Sequence, residues 1–348
     1  MEYAALGRSG LKVSQAGLGT MNFGTDHPMA GCGEDEARRI IDAFLEAGGN
    51  LIDTANRYTG GQSEEIVGRA IAGRRESVVL ATKGFMPQGD GPNDAGLSRL
   101  HLTRALEASL RRLGTDHIDL YQCHQWDADT PIEETMATLD GFVRSGKVRY
   151  IGCSNFTAAQ IVEARWAAER VGGTPFVSLQ PQYSLAVRDI EAEILPVCER
   201  HGLGTLTYSP LASGVLTGRY ARGAAPDADS RMGRMSASPL AMARVFVDEM
   251  LNERTLGIAE EVGRVADELG ATPAAVALAW VRSRPGVTSV IVGPRSLEHL
   301  RGNLAGFELE LPPEAVARLD EASWSPMLAP VTGMGGVRAG HLRTVTNA

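Results

Sequence analysis

The chain alternates short apolar runs with amphipathic helical stretches almost from end to end. A strand buried on both faces reads as an unbroken apolar run, and a helix laid over it carries an apolar stripe of period 3.6. The alternation therefore predicts βα units and a parallel sheet. The runs fall at about residues 14–18, 50–53, 77–82, 117–123, 148–153, 176–179, 204–207 and 287–292. Helical patterns follow at about 34–47, 63–71, 98–113, 131–145, 158–170, 189–201, 256–269 and 273–284, and a last one opens near Ser296. Gly48-Gly49 reads as a C-cap, Ser63 as an N-cap and Pro131 as a first-turn proline. Eight units in register predict a single α/β domain over residues 1–348, a closed (β/α)8 barrel rather than an open doubly wound sheet. Residues 212–238, rich in Gly, Ala, Arg, Met and Asp, read as a long loop after the seventh strand, either a functional lid or a mobile segment. Residues 325–348 read as a turn-rich tail, either across a barrel mouth or loose.

Composition narrows the function classes. Thirty-four Lys and Arg against 42 Asp and Glu give a net charge of −8, without the clustered basic footprint that nucleic acid requires. No stretch is apolar for the roughly 18 residues that a membrane span needs, and the N-terminus lacks the apolar run of a secretory signal. The expected location is the cytoplasm. The four cysteines, Cys32, Cys123, Cys153 and Cys198, form no C-x-x-C pair, so they read as free buried thiols and no metal site is expected.

Barrel enzymes carry their chemistry at the C-terminal ends of the strands. Here the second strand ends in Asp53 with Tyr58 just beyond, the third in Thr82-Lys83, the fourth in Cys123-His124 and the fifth in Ser154-Asn155. The sixth ends in Gln180, the seventh in Tyr208-Ser209 and the eighth in Gly293 followed by Arg295 and Ser296. Four of these groups make chemical sense together. A phenol titrates near 10 and exchanges protons poorly at neutral pH. An ammonium beside it lowers that value, and a carboxylate can hold the ammonium in place. Lys83 and Asp53 are suited to those tasks, which makes Tyr58 a general acid for a carbonyl oxygen. His124 can donate to the same oxygen. No side chain supplies hydride, so a cofactor must.

The chain resembles the aldo-keto reductases over nearly its whole length. The segments that carry the resemblance are LGTMNFG, NLIDTANRY with GGQSEEIVGRAI, ATKG, DHIDLYQCHQWD, IEETMATLDGFVRSGKVRYIGCSNF, LQPQYS, TYSPLASGVLTGRY and IVGPRSLEHLRGN. Each is a soft pattern, and their joint order and spacing are specific. The resemblance implies that the family's catalytic Asp, Tyr, Lys and His are Asp53, Tyr58, Lys83 and His124. It implies an NADPH site in which Ser154, Asn155 and Gln180 hold the nicotinamide carboxamide and Tyr208 stacks on the ring. Ser209, Leu211, Gly214 and Leu216 fall on the pyrophosphate loop, and Arg219 on the basic residue that closes over it. Gly19, Thr20 and Met21 fall near the nicotinamide ribose. Gly293, Arg295, His299 and Asn303 fall on the segment that reads the adenine and the 2′-phosphate, where a helix start also favours an anion.

Gly302 and His299 depart from the family pattern, in which Glu often stands at the first position and Gln or Arg at the second. Arg295 still offers charge-assisted contacts to a phosphate, so NADPH is expected over NADH. Phe23, Met86 and Trp126, with Tyr58 and His124, are candidate substrate-wall residues, as is Met21. The run from Arg231 to Met235 reads as a solvated lid. The chain is similar to bacterial members of the family, some of which reduce keto sugars, while others oxidise alcohols. The expected partner is a small-molecule carbonyl compound, and a homo-oligomer stays open. The other class within the resemblance is the potassium-channel β subunit, a cofactor-sensing binding partner. Such proteins usually carry an extension before the first strand, and none is expected here.

Overall fold

An antiparallel hairpin, β1 (Tyr3–Ala5) and β2 (Lys12–Ser14), precedes a barrel of eight parallel strands. The barrel strands are β3 (Ala16–Gly19), β4 (Leu51–Asp53), β5 (Val79–Gly84), β6 (Ile118–Cys123), β7 (Val148–Ser154), β8 (Ser178–Gln180), β9 (Gly204–Thr207) and β10 (Val287–Val292). They pair in sequence order, and β10 closes on β3. The structure, a computed structural model, describes residues 1–25, 30–228, 230–239 and 241–324.

The outer layer is built from α1 (Glu34–Glu46), α2 (Gln62–Ile71), α3 (Arg99–Leu113), α4 (Ile132–Arg144), α5 (Ala158–Arg170) and α6 (Ile194–His201). After β9 come α7 (Arg231–Ser236), α8 (Ala241–Met250), α9 (Glu253–Leu269) and α10 (Pro273–Arg282), then α11 (Leu297–Ala305) and α12 (Pro313–Ala322) beyond β10. Between strands and helices lies the larger core, where Leu18, Ile52, Leu80 and Ile151 meet the apolar stripes of α1 to α5. The barrel interior is filled by Leu51, Ala81, Leu120, Leu206 and Ile291, together with Leu6 and Val13 from the hairpin. Alternation along each strand sends successive residues to opposite faces. The same register that points Ala81 inward therefore points Lys83 inward one layer higher.

The barrel matches the expectation, and the differences have local causes. The hairpin was not anticipated, although the turn G-R-S-G between two short apolar runs is its signature. Its Leu6 and Val13 are fully buried. Ser63 does not cap α2. The N-cap is Gly61 in a left-handed conformation, and Ser63 lies inside the helix with its hydroxyl on the Thr20 carbonyl at 2.8 Å. Pro131 is the N-cap of α4 rather than its first helical residue. The stretch after β9 is long but not all loop, since it carries a 3-10 turn at Ala212–Thr217 and the helices α7 and α8. Helix α12 was likewise not anticipated. The expected C-terminal tail, residues 325–348, lies outside the described residues. All four cysteines are free and buried, and burial pushes the Cys32 and Cys198 thiols up to about 12.

Gly68 sets the approach of α2 to α3. A methyl group there would sit 2.5 Å from the Leu113 carbonyl oxygen, with only backbone around it. Gly68→Ala is expected to destabilise by about 1–3 kcal/mol, the cost of overpacking, despite alanine's higher helix propensity. A urea midpoint equal to that of the wild type would show that the end of α3 yields freely.

Candidate active site

The mouth of the barrel is held by unusual backbone. Tyr58 opens a 3-10 turn, Tyr58–Gly61, in which Thr59, Gly60 and Gly61 have φ of 46°, 68° and 98°. Two consecutive glycines make that left-handed run affordable. The Thr59 hydroxyl donates to the Phe23 carbonyl at 2.5 Å and accepts from the Ser63 amide at 3.1 Å. Tyr58 is thereby tied to the loop after β3. Asn155, Ser209, Ala212 and Ser213 are also left-handed, at φ of 58°, 55°, 46° and 57°, in the loops after β7 and β9. Residues held in such conformations cluster at functional sites.

Within this frame Asp53, Lys83 and Tyr58 form a continuous chain. The Lys83 ammonium, 0% exposed, donates to Asp53 Oδ1 at 2.5 Å, to the Thr54 carbonyl at 2.9 Å and to the Tyr58 hydroxyl at 3.2 Å. The other carboxylate oxygen, Asp53 Oδ2, accepts from Gln180 Nε2 at 2.9 Å and Gln122 Nε2 at 3.1 Å. His124 stands edge-on to the Tyr58 ring, with centroids 5.8 Å apart and planes at 82°. Its Nδ1 is buried without a partner. The four groups come from the ends of β4, β5 and β6 and from the turn after β4, as the register dictates.

The electrostatics follow from burial. Desolvation is the largest influence on Lys83, but Asp53 and Tyr58 together override it and hold the ammonium above its ordinary value. The Tyr58 phenol is raised, not lowered. Burial outweighs the pull of Lys83, whose charge is offset by Asp53 close by. The sequence expectation of a lowered phenol is therefore not met, because it weighed the ammonium and not the burial of the phenol itself. Burial, aided by the Lys83 charge, depresses His124 to about 3, so its imidazole is neutral at neutral pH.

Several other anticipated residues lie in the same mouth, tied to one another. The Ser154 hydroxyl donates to the Gln180 carbonyl at 2.7 Å. Asn155 Nδ2 donates to the His124 carbonyl at 3.0 Å, and its Oδ1 accepts from the Tyr208 hydroxyl at 2.8 Å, which links the ends of β6, β7 and β9. Thr20 is fully buried, its hydroxyl on the Asp53 carbonyl and on Ser63. Gly19 permits contact with Ile291, whose Cγ2 would stand 2.7 Å from a methyl group. Leu216 is fully buried in the core, while Leu211 and Gly214 are half-buried and Ser209 likewise. Met21, Met86 and Trp126 are half-buried, and Trp126 packs edge-on against Phe156 at 5.2 Å. Phe23 is 0% exposed and belongs to the core, so its side chain forms no open wall.

At the other end of the mouth, Arg219, Gly293 and His299 are exposed, Arg295 is half-buried and Asn303 is buried. Arg295 is lowered to about 10, first by burial and then by repulsion from Arg234, Arg231 and Arg219. At the start of α11, where the sequence reading expects an anion to be favoured, two backbone amides already have side-chain acceptors. Glu36 Oε1 accepts from the Leu297 amide at 2.7 Å, and Ser296 Oγ accepts from the His299 amide at 3.2 Å. Arg231 is the residue that sequence reasoning missed. Far from being solvated, it is half-buried with its Nε unpartnered, it is among the charges acting on Tyr58, and burial lowers it. Its signal was the Ser230-Arg231 pair, an N-cap followed by a cation at the first position of α7.

A model of the aldo/keto reductase family matches residues 16–323. The chain belongs to that family. Among its aldo/keto reductase relatives is the uncharacterised oxidoreductase YrpG of Bacillus subtilis, 41% identical over 332 residues, which span 92% of this chain and 95% of the relative. A probable voltage-gated potassium channel subunit beta of Arabidopsis thaliana is 40% identical over 314 residues, 89% of this chain and 92% of the relative. The versiconal hemiacetal acetate reductase of Aspergillus parasiticus is 35% identical over 342 residues, 92% and 96% of the two chains. Among the described residues no helix is long and apolar enough to cross a membrane.

Proposed function

We propose that this aldo/keto reductase is an NADPH-dependent carbonyl reductase that converts an aldehyde or ketone to the alcohol, with keto sugars among the substrates to be tried. The observation that carries the reading is the chain from buried Asp53 and Lys83 to half-buried Tyr58, with neutral His124 against the phenol. The bound cofactor supplies the hydride. Tyr58, protonated at neutral pH, gives its proton to the carbonyl oxygen. The phenolate left behind is stabilised by the Lys83 ammonium 3.2 Å away. Asp53 keeps that ammonium charged and in place. His124 donates a hydrogen bond to the same oxygen, which orients the carbonyl and stabilises the charge that develops on it.

The residues fit a dinucleotide phosphate. The charges acting on Arg295 include the guanidinia of Arg234, Arg231 and Arg219, and Arg231 Nε is buried and unpartnered. Such a cluster calls for an anion. In this reading Arg219 and Arg231 face the pyrophosphate, and Arg295 with His299 reads the 2′-phosphate. Fluorescence titration with NADPH and NADH tests it. NADPH is expected to bind much the tighter, and Arg295→Ala to weaken NADPH about ten-fold or more while leaving NADH nearly unchanged. Equal losses for both nucleotides would assign Arg295 to the shared part of the cofactor instead.

The relatives named as channel subunits favour a second reading, a cofactor-sensing binding subunit. Turnover separates the two. Steady reduction of a carbonyl supports the enzyme, and tight NADPH binding without turnover of any carbonyl supports the subunit.

A further inference from the structure

We propose that Gln122 is a positioning residue for the reduction, tying Asp53 and Gln180 together so that Asp53 turns a single oxygen toward Lys83. This rests on the reductase reading above. Gln122 lies in β6, 0% exposed, in register with Lys83 of β5 on one side and Gly152 of β7 on the other. Its Nε2 donates to Asp53 Oδ2 at 3.1 Å, and its Oε1 faces Gln180 Nε2 at 3.4 Å. Gln180 Nε2 in turn donates to the same Asp53 oxygen at 2.9 Å. The three side chains close a ring on the face of Asp53 opposite Lys83.

Gly152 lies beside this ring: a methyl group there would stand 2.4 Å from Ser178 Oγ, a clash, and 3.4 Å from Gln122 Cγ, an ordinary contact. A buried carboxylate needs donors for both oxygens. Lys83 satisfies Oδ1 and the two glutamines satisfy Oδ2. Without Gln122, Asp53 Oδ2 keeps Gln180 alone, itself no longer held by the Gln122 oxygen, so the carboxylate is held less firmly and the contact of Lys83 with Tyr58 loosens. Gln180, anticipated at the carboxamide end of the cofactor, is also held by Gln122. The ring therefore links that end of the site to the proton donor.

The test uses two substitutions. Gln122→Leu, which keeps bulk and removes both polar atoms, is expected to lower kcat about ten-fold with KM nearly unchanged, the pattern of an interaction that matters in the transition state. The Gln122→Glu side chain reproduces the donor and acceptor pair only while its carboxyl is protonated, and burial beside Asp53 favours that form. Its kcat is expected to approach the wild-type value on the acid side and to fall as the pH rises and the new carboxyl ionises. A purely structural glutamine would not produce that crossover. A pH-independent loss in Gln122→Glu, or an unchanged kcat and pH profile in Gln122→Leu, overturns the proposal. If Gln122→Leu does not fold, the Gln122→Glu profile decides alone.

A readout without turnover keeps the two readings apart. The chain has three lysines, Lys12, Lys83 and Lys147, and only Lys83 is fully buried. The side-chain ammonium correlation of Lys83 in 15N-lysine protein is expected to persist at neutral pH and to shift and weaken in Gln122→Leu. A wild type that reduces no carbonyl sinks the reductase reading and leaves this spectrum to decide on Gln122, where an unchanged signal means that Lys83 does not depend on it.

Discussion

Tyr58→Phe is expected to lower kcat for carbonyl reduction by about 10²- to 10⁴-fold, the range for loss of a positioned general acid. The affinity for NADPH is expected to stay close to that of the wild type. Phenylalanine keeps the ring, so the edge-on contact with His124 at 5.8 Å and the Lys83 ammonium 4.9 Å from the ring centre persist. Lys83 loses one acceptor and retains Asp53 and the Thr54 carbonyl. The loss therefore falls on the proton and not on the shape of the site. The direction of the Tyr58 shift sets the pH dependence. The phenol lies above its ordinary value of 10.0, so the acid form dominates through neutral pH. Reduction by the wild type should hold steady there and decline only in the alkaline range, while alcohol oxidation, which needs the phenolate, should rise with pH. Stopped-flow and steady-state rates over that range read both limbs. In Tyr58→Phe the residual rate should lose both. Near-normal turnover in this variant would falsify the assignment of the proton to Tyr58 and move it to water or His124.

The barrel was legible because its strands are buried on both faces. Runs such as 204–207 and 287–292 coincide with β9 (Gly204–Thr207) and β10 (Val287–Val292). The candidate site was legible for a related reason. An interior-facing polar residue has no place in an apolar strand unless something pairs with it, so Lys83 after V-L-A-T draws attention by itself. What stayed hidden depends on partners brought in from far along the chain. Gln122 sits in a strand that already ends in His124, and its meaning appears only when Asp53 and Gln180, 69 and 58 residues away, meet it.

The phenol of Tyr58 shows the limit of adding charges by residue type. Lysine beside tyrosine lowers the phenol in isolation, yet a lysine neutralised by aspartate in a dry site does so too weakly to overcome burial. Arg231 was hidden for the opposite reason. A polar, arginine-rich stretch reads as solvated, and only the fold of the segment after β9 brings that charge to bear on Tyr58. Phe23 reads as a wall residue because it follows a strand end, but its side chain is fully buried in the core, while its carbonyl accepts from the Thr59 hydroxyl.

Lys83→Met is expected to abolish turnover and to destabilise the protein by about 3–5 kcal/mol, because removing one member of a buried ion pair strands the other. Asp53 would keep its two glutamine donors and lose its counter-ion at 2% exposure. Urea denaturation measures the effect. Adding Asp53→Asn to Lys83→Met should recover much of the lost stability, since an amide needs no counter-ion, and should recover no turnover. That pair of results separates the energetic cost of the ion pair from its chemistry. The pH dependence has a definite sign. The folded-state value of Lys83 is raised above 10.5, so its contribution is fully present below that pH and is lost as the pH climbs through the folded value. The stability gap between the wild type and Lys83→Met should narrow in alkali, and a gap that stays constant there would mean that the Lys83 charge does not carry the contribution. A double variant as unstable as the single one would place the cost in the lost packing of the lysine stem.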